Sequence, residues 1–533
     1  MTITVYLLKE RVGTPSDALK PDLEPRYTTH ELTTATTTGT IFVAEQEDRL
    51  PSWVELLQPV TQPPVRDRTR STRALLVLRA AERWFAIAFG HGRTMLDPAI
   101  YVRRFGLRVS LNATDPARLR GAQARSFNGY ALHTLRQVSR VSSVDALELD
   151  VERDLVTSMA GEVLDPSLGR RVDGQDAVHL TARLDVSELA AKCAKLLAES
   201  EKQTYRRHYP WIDKFEGVTD PSAIAHYAEA AATDLGQRRF DRFDVYPPEL
   251  VGPEITQFRI YPGNGGLAVV EPSAALLRYA IPQVTGPADA QAAAQRYKLI
   301  GIDGNGHEVG RWPFWDCLHY EAQHTDRTIV LDGGQWYVVD RDFATGVDHF
   351  AASLRSSGLV WPPAVRGERE DAYNARVANV RQLALLDKRL IRLVGQSPIE
   401  PCDLFGRRGQ LIHVKRAKGG SAPLSHLWGQ ASVSAECLVS ELAFRREMRK
   451  RIARSEEAHL SQRIGEPLVA RDHPIVLALI TTAASASQPA TALPFFSKVL
   501  LRQTVRRLRQ MSLRVHIDGI ATVPPARPGG RAP

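Results

Sequence analysis

Residues 399–430 read IEPCDLFGRRGQLIHVKRAKGGSAPLSHLWGQ. The pattern predicts two short strands joined by a tight turn, then a Gly-rich break and a helix. Asp403 lies on the first strand, at the edge of the turn Phe405-Gly406-Arg407-Arg408-Gly409. On the second strand Leu411, His413 and Lys415 project to one face, and Ile412, Val414 and Arg416 to the other, because successive side chains of a strand alternate. A carboxylate, an imidazole and an amine are rarely set inside strands without a task, since burying them unpaired is costly. Together they suit phosphodiester hydrolysis. A carboxylate can hold a divalent ion that activates water and neutralises phosphate, while an amine orients the nucleophile or adds positive charge. The competing reading is a solvent-facing hairpin whose Lys415, Arg416 and Lys418 form only a basic edge.

Composition around this stretch is that of a globular protein. Of 533 residues, 43% are hydrophobic and 24% charged, enough apolar material for several cores. The four cysteines (Cys193, Cys317, Cys402, Cys437) are far apart and form no C-x-x-C pair, which argues for a reducing compartment and against a zinc ribbon. The N-terminus lacks a signal-peptide pattern. The longest apolar run, Ile475–Ala486, is too short for a bilayer span. A soluble, cytoplasmic protein with no membrane partner is expected.

Charge is unevenly placed. From residue 361 onward 28 Lys and Arg face 14 Asp and Glu, a net of +14, so the remainder carries −5 of the total +9. A basic third joined to an acidic remainder fits a polyanion-binding module, whereas solvated arginine faces such as 444–454 are the plainer explanation.

Taken in order, residues 1–9 and 39–46 read as strands, with the Thr-rich 28–39 as a loop between them and a Pro- and Arg-containing loop at 59–72. Residues 73–80 and 83–90 read as a hairpin, and FGLRVSLN (105–112) as a further strand. Helical periodicity begins at 185–207 and recurs at 222–235. Hairpin signals then follow around 304–306 and 333–334. A Gly- and Pro-rich boundary lies at 356–371. Beyond it come a helix over 371–386, strands over 388–394, 399–405 and 410–416, helices over 424–438 and 441–455, a buried strand over 474–481, a helix over 495–511 and a last strand over 513–520. The fold class expected is multidomain α+β. Its parts are a strand-rich N-terminal domain (1–180), a helical connector with an α+β middle module (181–360), a basic α/β domain (361–522) and a disordered tail (523–533).

The order helix–strand–strand–strand–helix–strand in the basic domain resembles the core of the restriction-endonuclease-like PD-(D/E)XK nucleases. That resemblance implies a Mg²⁺ or Mn²⁺ site. Asp403 matches the first acidic position and Lys415 the catalytic lysine. Glu370, at the start of the first helix, matches the helix acid, and Gln430 the supporting glutamine. His413 stands where the second acid belongs, as a ligand or general base. Glu400 is three residues from Asp403, so a regular strand would face it away unless Pro401 introduces a bulge. Arg416, Lys418, Arg502, Arg506 and Arg509 would hold a phosphate backbone. The whole chain also resembles a sporadically distributed family of uncharacterised bacterial proteins, through FGHGRTMLD, FGLRVSLN, DLFGRRGQLIHVKR, LSHLWGQASVSAE and LPFFSKVLLR. Such a distribution implies mobile-element or phage-defence genes.

The function expected is therefore a metal-dependent nuclease acting on DNA before RNA. Its partners are nucleic acid and either a second copy of the chain or an operon-encoded protein. The alternative is a catalytically inactive nucleic-acid-binding or scaffold protein on a degenerate nuclease fold.

Overall fold

The computed structural model describes residues 2–21, 27–44, 73–127, 131–249, 251–262, 268–281, 286–304, 306–393, 395, 397–417 and 422–525. The loop expected at 59–72 and the chain beyond 525 lie outside them. No helix among the described residues is long and apolar enough to cross a membrane. The chain separates into two units, residues 1–125 with 133–212 and residues 126–132 with 213–533.

In the first unit, β1 (Thr2–Leu7), β2 (Tyr27–Thr33), β3 (Thr38–Ala44), β4 (Arg73–Ala80) and β5 (Arg83–Gly90) precede helix α1 (Phe105–Ala113). Then come β6 (Thr114–Phe127), β7 (Ala131–Ser142), β8 (Asp154–Val163), β9 (Arg171–Gly174), β10 (Val178–Thr181) and helix α2 (Leu189–Glu201). The ten strands form one sheet in the order β2-β3-β4-β5-β1-β10-β9-β8-β6-β7. The β4–β5 hairpin turns on Ala81 and Glu82, both at positive φ (46° and 59°), as a two-residue hairpin turn requires.

Two expectations fail here, each for a physical reason. The Thr-rich stretch expected as a loop is a turn only over 34–37; residues 28–33 belong to the exposed edge strand β2, paired in full with β3, because β-branched threonine suits a pleated surface. Residues 105–112 are helical. Phe105, Val109 and Ala113 pack at four-residue spacing into one cluster and Leu107 and Leu111 into another, so a helix buried on two sides imitates strand alternation.

In the second unit, β11 (Phe215–Gly217), α3 (Pro221–Gly236), β12 (Phe243–Val245), β13 (Gln257–Tyr261) and α4 (Pro287–Arg296) lead into hairpins. These are β14 (Lys298–Ile302) with β15 (Glu308–Pro313), then β16 (Leu318–His324), β17 (Arg327–Asp332) and β18 (Gln335–Val339). They make a five-stranded sheet, β11-β18-β17-β16-β12, and a three-stranded one, β13-β14-β15. Helix α5 (Arg341–Ser353) follows, capped by Asp340.

The basic region then builds a six-stranded sheet. Its elements are β19 (Ala364–Val365), α6 (Glu370–Arg381), β20 (Ala384–Leu385), β21 (Leu404–Phe405), β22 (Leu411–Arg416), α7 (Ala422–Ser440), α8 (Leu442–Ala453), β23 (Ile475–Thr482), α9 (Phe495–Gln510) and β24 (Val515–Val523). Strand order is β19-β24-β23-β22-β21-β20. The first four strands run parallel, and β21 and β20 are antiparallel to their neighbours. Tyr373 and Val377 of α6 cover one face with Ile412, Val414 and Val476, while α7, α8 and α9 cover the other with Leu411, Ile475 and Leu477. The run Ile475–Ile480 is buried throughout, as a central parallel strand between two helical layers must be.

Helix α6 ends earlier than its periodicity suggests. Gln382 adopts the left-handed conformation (φ 52°), releasing residues 384–385 to form β20. The strand expected at 388–394 is reduced to one bridge, Ile391 with Ile399. The Gly- and Pro-rich boundary stretch is fastened to β24. The buried Asp518 carboxylate accepts from Ser356 Oγ, Ser357 N and Trp361 Nε1, each at 2.8 Å, and from Ser357 Oγ.

Candidate metal centre

The antiparallel end of this sheet is irregular, and that irregularity gathers carboxylates. Pro401 has no N–H for a ladder, and regular pairing of β21 resumes only at Leu404. Asp403 stands one residue out of register, its N–H donating at 3.0 Å to the carbonyl of Ile412, the residue paired with Leu404. Its side-chain Oδ2 takes over a further strand donor, the N–H of Val414, at 2.7 Å. On the other side, the N–H groups of Leu386 and Asp387 both donate to Asp403 O (2.8 and 3.0 Å), which draws the turn after β20 against this point.

Asp387, Glu400 and Asp403 therefore converge, each offering a carboxylate oxygen within 4.8 Å of the others. Neighbouring donors set the two outer acids. Asn374 Nδ2, on α6, donates to Asp387 Oδ2 at 3.2 Å, and Gln430 Nε2, on α7, donates to Glu400 Oε2 at 3.0 Å. The N–H of Lys388 donates to Glu400 Oε1. Burial pushes the Asp403 carboxyl up to about 7; the Val414 N–H opposes this, and the charges of Glu400, Asp387 and Glu370 reinforce it.

Glu370, in the first turn of α6, engages the end of β22 rather than the three acids. Its Oε1 lies 3.3 Å from Lys415 Nζ and its Oε2 accepts from Arg416 N at 3.2 Å. Lys415 lies at the strand's end, where its long stem reaches Glu370.

His413 is placed elsewhere. Alternation along β22 turns it toward α7, where it is buried with Nε2 3.4 Å from Ser434 Oγ. Burial depresses it to about 4, so it is neutral. It is not a member of the carboxylate group, and the expected pairing of His413 with Asp403 at one ion is not what the fold builds.

The expected phosphate contacts are likewise dispersed. Arg416 donates its guanidinium to Glu368 O at 2.8 Å. Arg502 is only 6% exposed and stacks 5.2 Å over the Phe343 ring, so its charge faces the interior rather than a polyanion. Arg506 and Arg509 are exposed on α9, with Arg509 lying 5.8 Å over Phe350. Lys418 lies outside the described residues.

Sequence reasoning missed Asp387 altogether. Its signal is the apolar run Leu383–Leu386 ending abruptly in an acid, which becomes legible once α6 is stopped at Gln382. Glu400 depended on whether Pro401 broke the strand, and the local chain is indeed irregular there.

As a donor set, three carboxylates held by amide N–H groups fit a hard divalent ion such as Mg²⁺ or Mn²⁺ better than a thiophilic one. A carboxyl whose proton is held only to about pH 7 is one that can exchange it for a cation. No curated protein and no solved structure matches the chain. A family model does match, over residues 3–521, through both units and every residue of this centre. The chain belongs to that family, a family of unknown function designated DUF6119.

Proposed function

We propose that the protein is a metal-dependent phosphodiesterase acting on nucleic acid, DNA in the first instance, with its centre at Asp387, Glu400 and Asp403. The observation that carries this reading is the convergence of those three carboxylates on irregular backbone beside the Glu370–Lys415 ion pair. The element order from α6 to β23, with β20, β21, β22 and α7 between, supports a restriction-endonuclease-like core.

Asp387, Glu400 and Asp403 would hold the ion, which when bound lowers the pKa of a water and offsets phosphate charge. Asn374 and Gln430 fix the orientations of the outer two acids. Asp403 accepts from Val414 N through Oδ2, so the proton it must release to become a ligand sits on Oδ1. Glu370 holds the Lys415 ammonium at the end of β22, where it can orient a nucleophile or meet charge developing on a phosphoryl oxygen.

The test is plasmid nicking by the purified protein in Mg²⁺ or Mn²⁺, alongside Asp403→Asn, Asp387→Asn and Lys415→Ala. Loss in all three variants is expected; equal nicking by wild type and variants would remove the reading. One observation favours a second reading, a silent nucleic-acid-binding protein. His413 occupies the expected position of an acid and is buried in the core, so β22 supplies no carboxylate. That reading expects salt-sensitive binding unchanged by Asp403→Asn and no metal requirement.

A further inference from the structure

The turn that carries Asp387 also carries two exposed arginines that nothing among the described residues engages. Residues 387–392 read Asp-Lys-Arg-Leu-Ile-Arg. Their backbone is pinned along its length. Asp387 N donates to Asp403 O, Lys388 N to the Glu400 carboxylate and Arg389 N to Leu386 O, and Ile391 exchanges both hydrogen bonds with Ile399 (2.7 and 2.9 Å). Arg451 clamps the Leu390 carbonyl through Nε (3.1 Å) and Nη2 (2.7 Å). Lys388 takes the left-handed conformation, φ 59°, and its ammonium pairs with Asp371 at 2.9 Å. Ile391 is fully buried.

The pinning orients what remains. With Ile391 and Ile399 turned inward as a pair, the flanking Leu390 and Arg392 fall on the opposite face, which is also the face of Glu400, the residue across from Leu390. Leu390 is 40% exposed. Arg389 and Arg392 are exposed, and among the described residues neither side chain makes a hydrogen bond or ion pair, although Asp387 stands two residues from Arg389 and the Glu400 carboxylate accepts from the neighbouring Lys388 N–H. A rigid turn thus holds cations beside the acidic centre without neutralising it, the arrangement needed to draw a polyanion onto a metal site.

We infer that this turn is the substrate grip of the proposed centre. Arg389 and Arg392 hold backbone phosphates of a nucleic-acid strand that crosses Asp387, Glu400 and Asp403, and Leu390 packs against a sugar or base between them. The inference rests on the phosphodiesterase reading for what happens to the strand, but not for whether the strand binds.

The test is fluorescence anisotropy with a labelled 30-nucleotide DNA, single- and double-stranded, in Ca²⁺ over a range of salt. The double variant Arg389→Gln/Arg392→Gln is compared with Arg506→Gln/Arg509→Gln on α9. If the turn is the grip, its variant binds about 10-fold or more weakly and its log–log salt slope falls by about 2, one unit per lost phosphate contact. The α9 variant then stays near wild type. An unchanged slope in the turn variant, loss in the α9 variant instead, or no salt-dependent binding by wild type each overturns the inference. Binding equally well to anionic lipid vesicles as to DNA would do so too. Plasmid nicking in Asp403→Asn reports separately on the phosphodiesterase reading, so the two can fail independently.

Discussion

Two residues on adjacent strands titrate in opposite senses. His413 is depressed from 6.5 to about 4 by burial, so the unfolded chain takes up a proton that the folded chain refuses between those values. Stability is then full above pH 6.5 and falls as pH drops toward 4, by about 3 kcal/mol in total. Asp403 is raised from 3.8 to about 7, so the folded chain keeps a proton that the unfolded chain has lost. That contribution is present at low pH and is lost as pH rises to 7, about 4 kcal/mol in all. Asp403→Asn keeps an acceptor for the Val414 N–H and removes the charge, so it should raise the melting temperature at pH 8 and leave it nearly unchanged at pH 4. Thermal denaturation at the two pH values checks this, and destabilisation at pH 8 would refute it. The same proton makes the proposed ion binding pH-dependent. Affinity for Mn²⁺ should fall about tenfold per unit below pH 7, measurable by calorimetry, with the dependence absent in Asp403→Asn. Asp403, Lys415 and Gln430 were legible in the sequence because chain order alone brings them to this end of the sheet; alternation did not give the face, since Lys415 shares its parity with His413 yet reaches Glu370 on α6. His413 was not. The pattern x-His-x-Lys looks the same whether a strand's face meets an acid or a helix, and only the packing of α7 decides.

At the scale of elements, the turn after β20 depends on Ile391. Ile391→Ala removes a fully buried side chain from the larger core cluster of the basic region and should cost about 2–5 kcal/mol. It should also loosen the backbone hydrogen bonds that place Asp387, which hydrogen exchange at Lys388 and Ile399 would register. Unaltered exchange there would show that the turn is held without it. The tight turn between β21 and β22 has a second such point. Gly409 lies at φ 74°, and a Cβ there would stand 2.6 Å from Asp472 O, so Gly409→Ala should destabilise by more than the usual glycine-to-alanine change and shift the β22 register. Long elements such as α7, α9 and β23 were readable from periodicity because burial dominates them. Strands of two residues, like β20 and β21, carry no period, and a helix buried on two sides, like α1, carries a misleading one.

For the whole molecule, divalent ions should stabilise the native chain alone, since the carboxylates meet only when it folds. Mn²⁺ at about 100 times its dissociation constant should add about 3 kcal/mol, read as a rise in melting temperature that Asp387→Asn abolishes. The basic third of the sequence was visible from charge alone, but its arginines do different jobs: some pack on rings, some clamp carbonyls, and others, Arg389 and Arg392 among them, face solvent with no partner among the described residues. Composition locates such a region and does not say which of its charges are available.

The clasp at Asp518 bears on how this chain can be divided. Its sequence invites a cut near residue 361, where Gly and Pro gather. Yet Ser356, Ser357 and Trp361 supply the donors that keep a carboxylate tolerable inside β24. A fragment trimmed to begin at 362 would inherit that buried carboxylate stripped of its donors, a penalty of several kcal/mol inside the sheet. One beginning before Arg355 would keep the strap whose hydroxyl, amide and indole donors satisfy it.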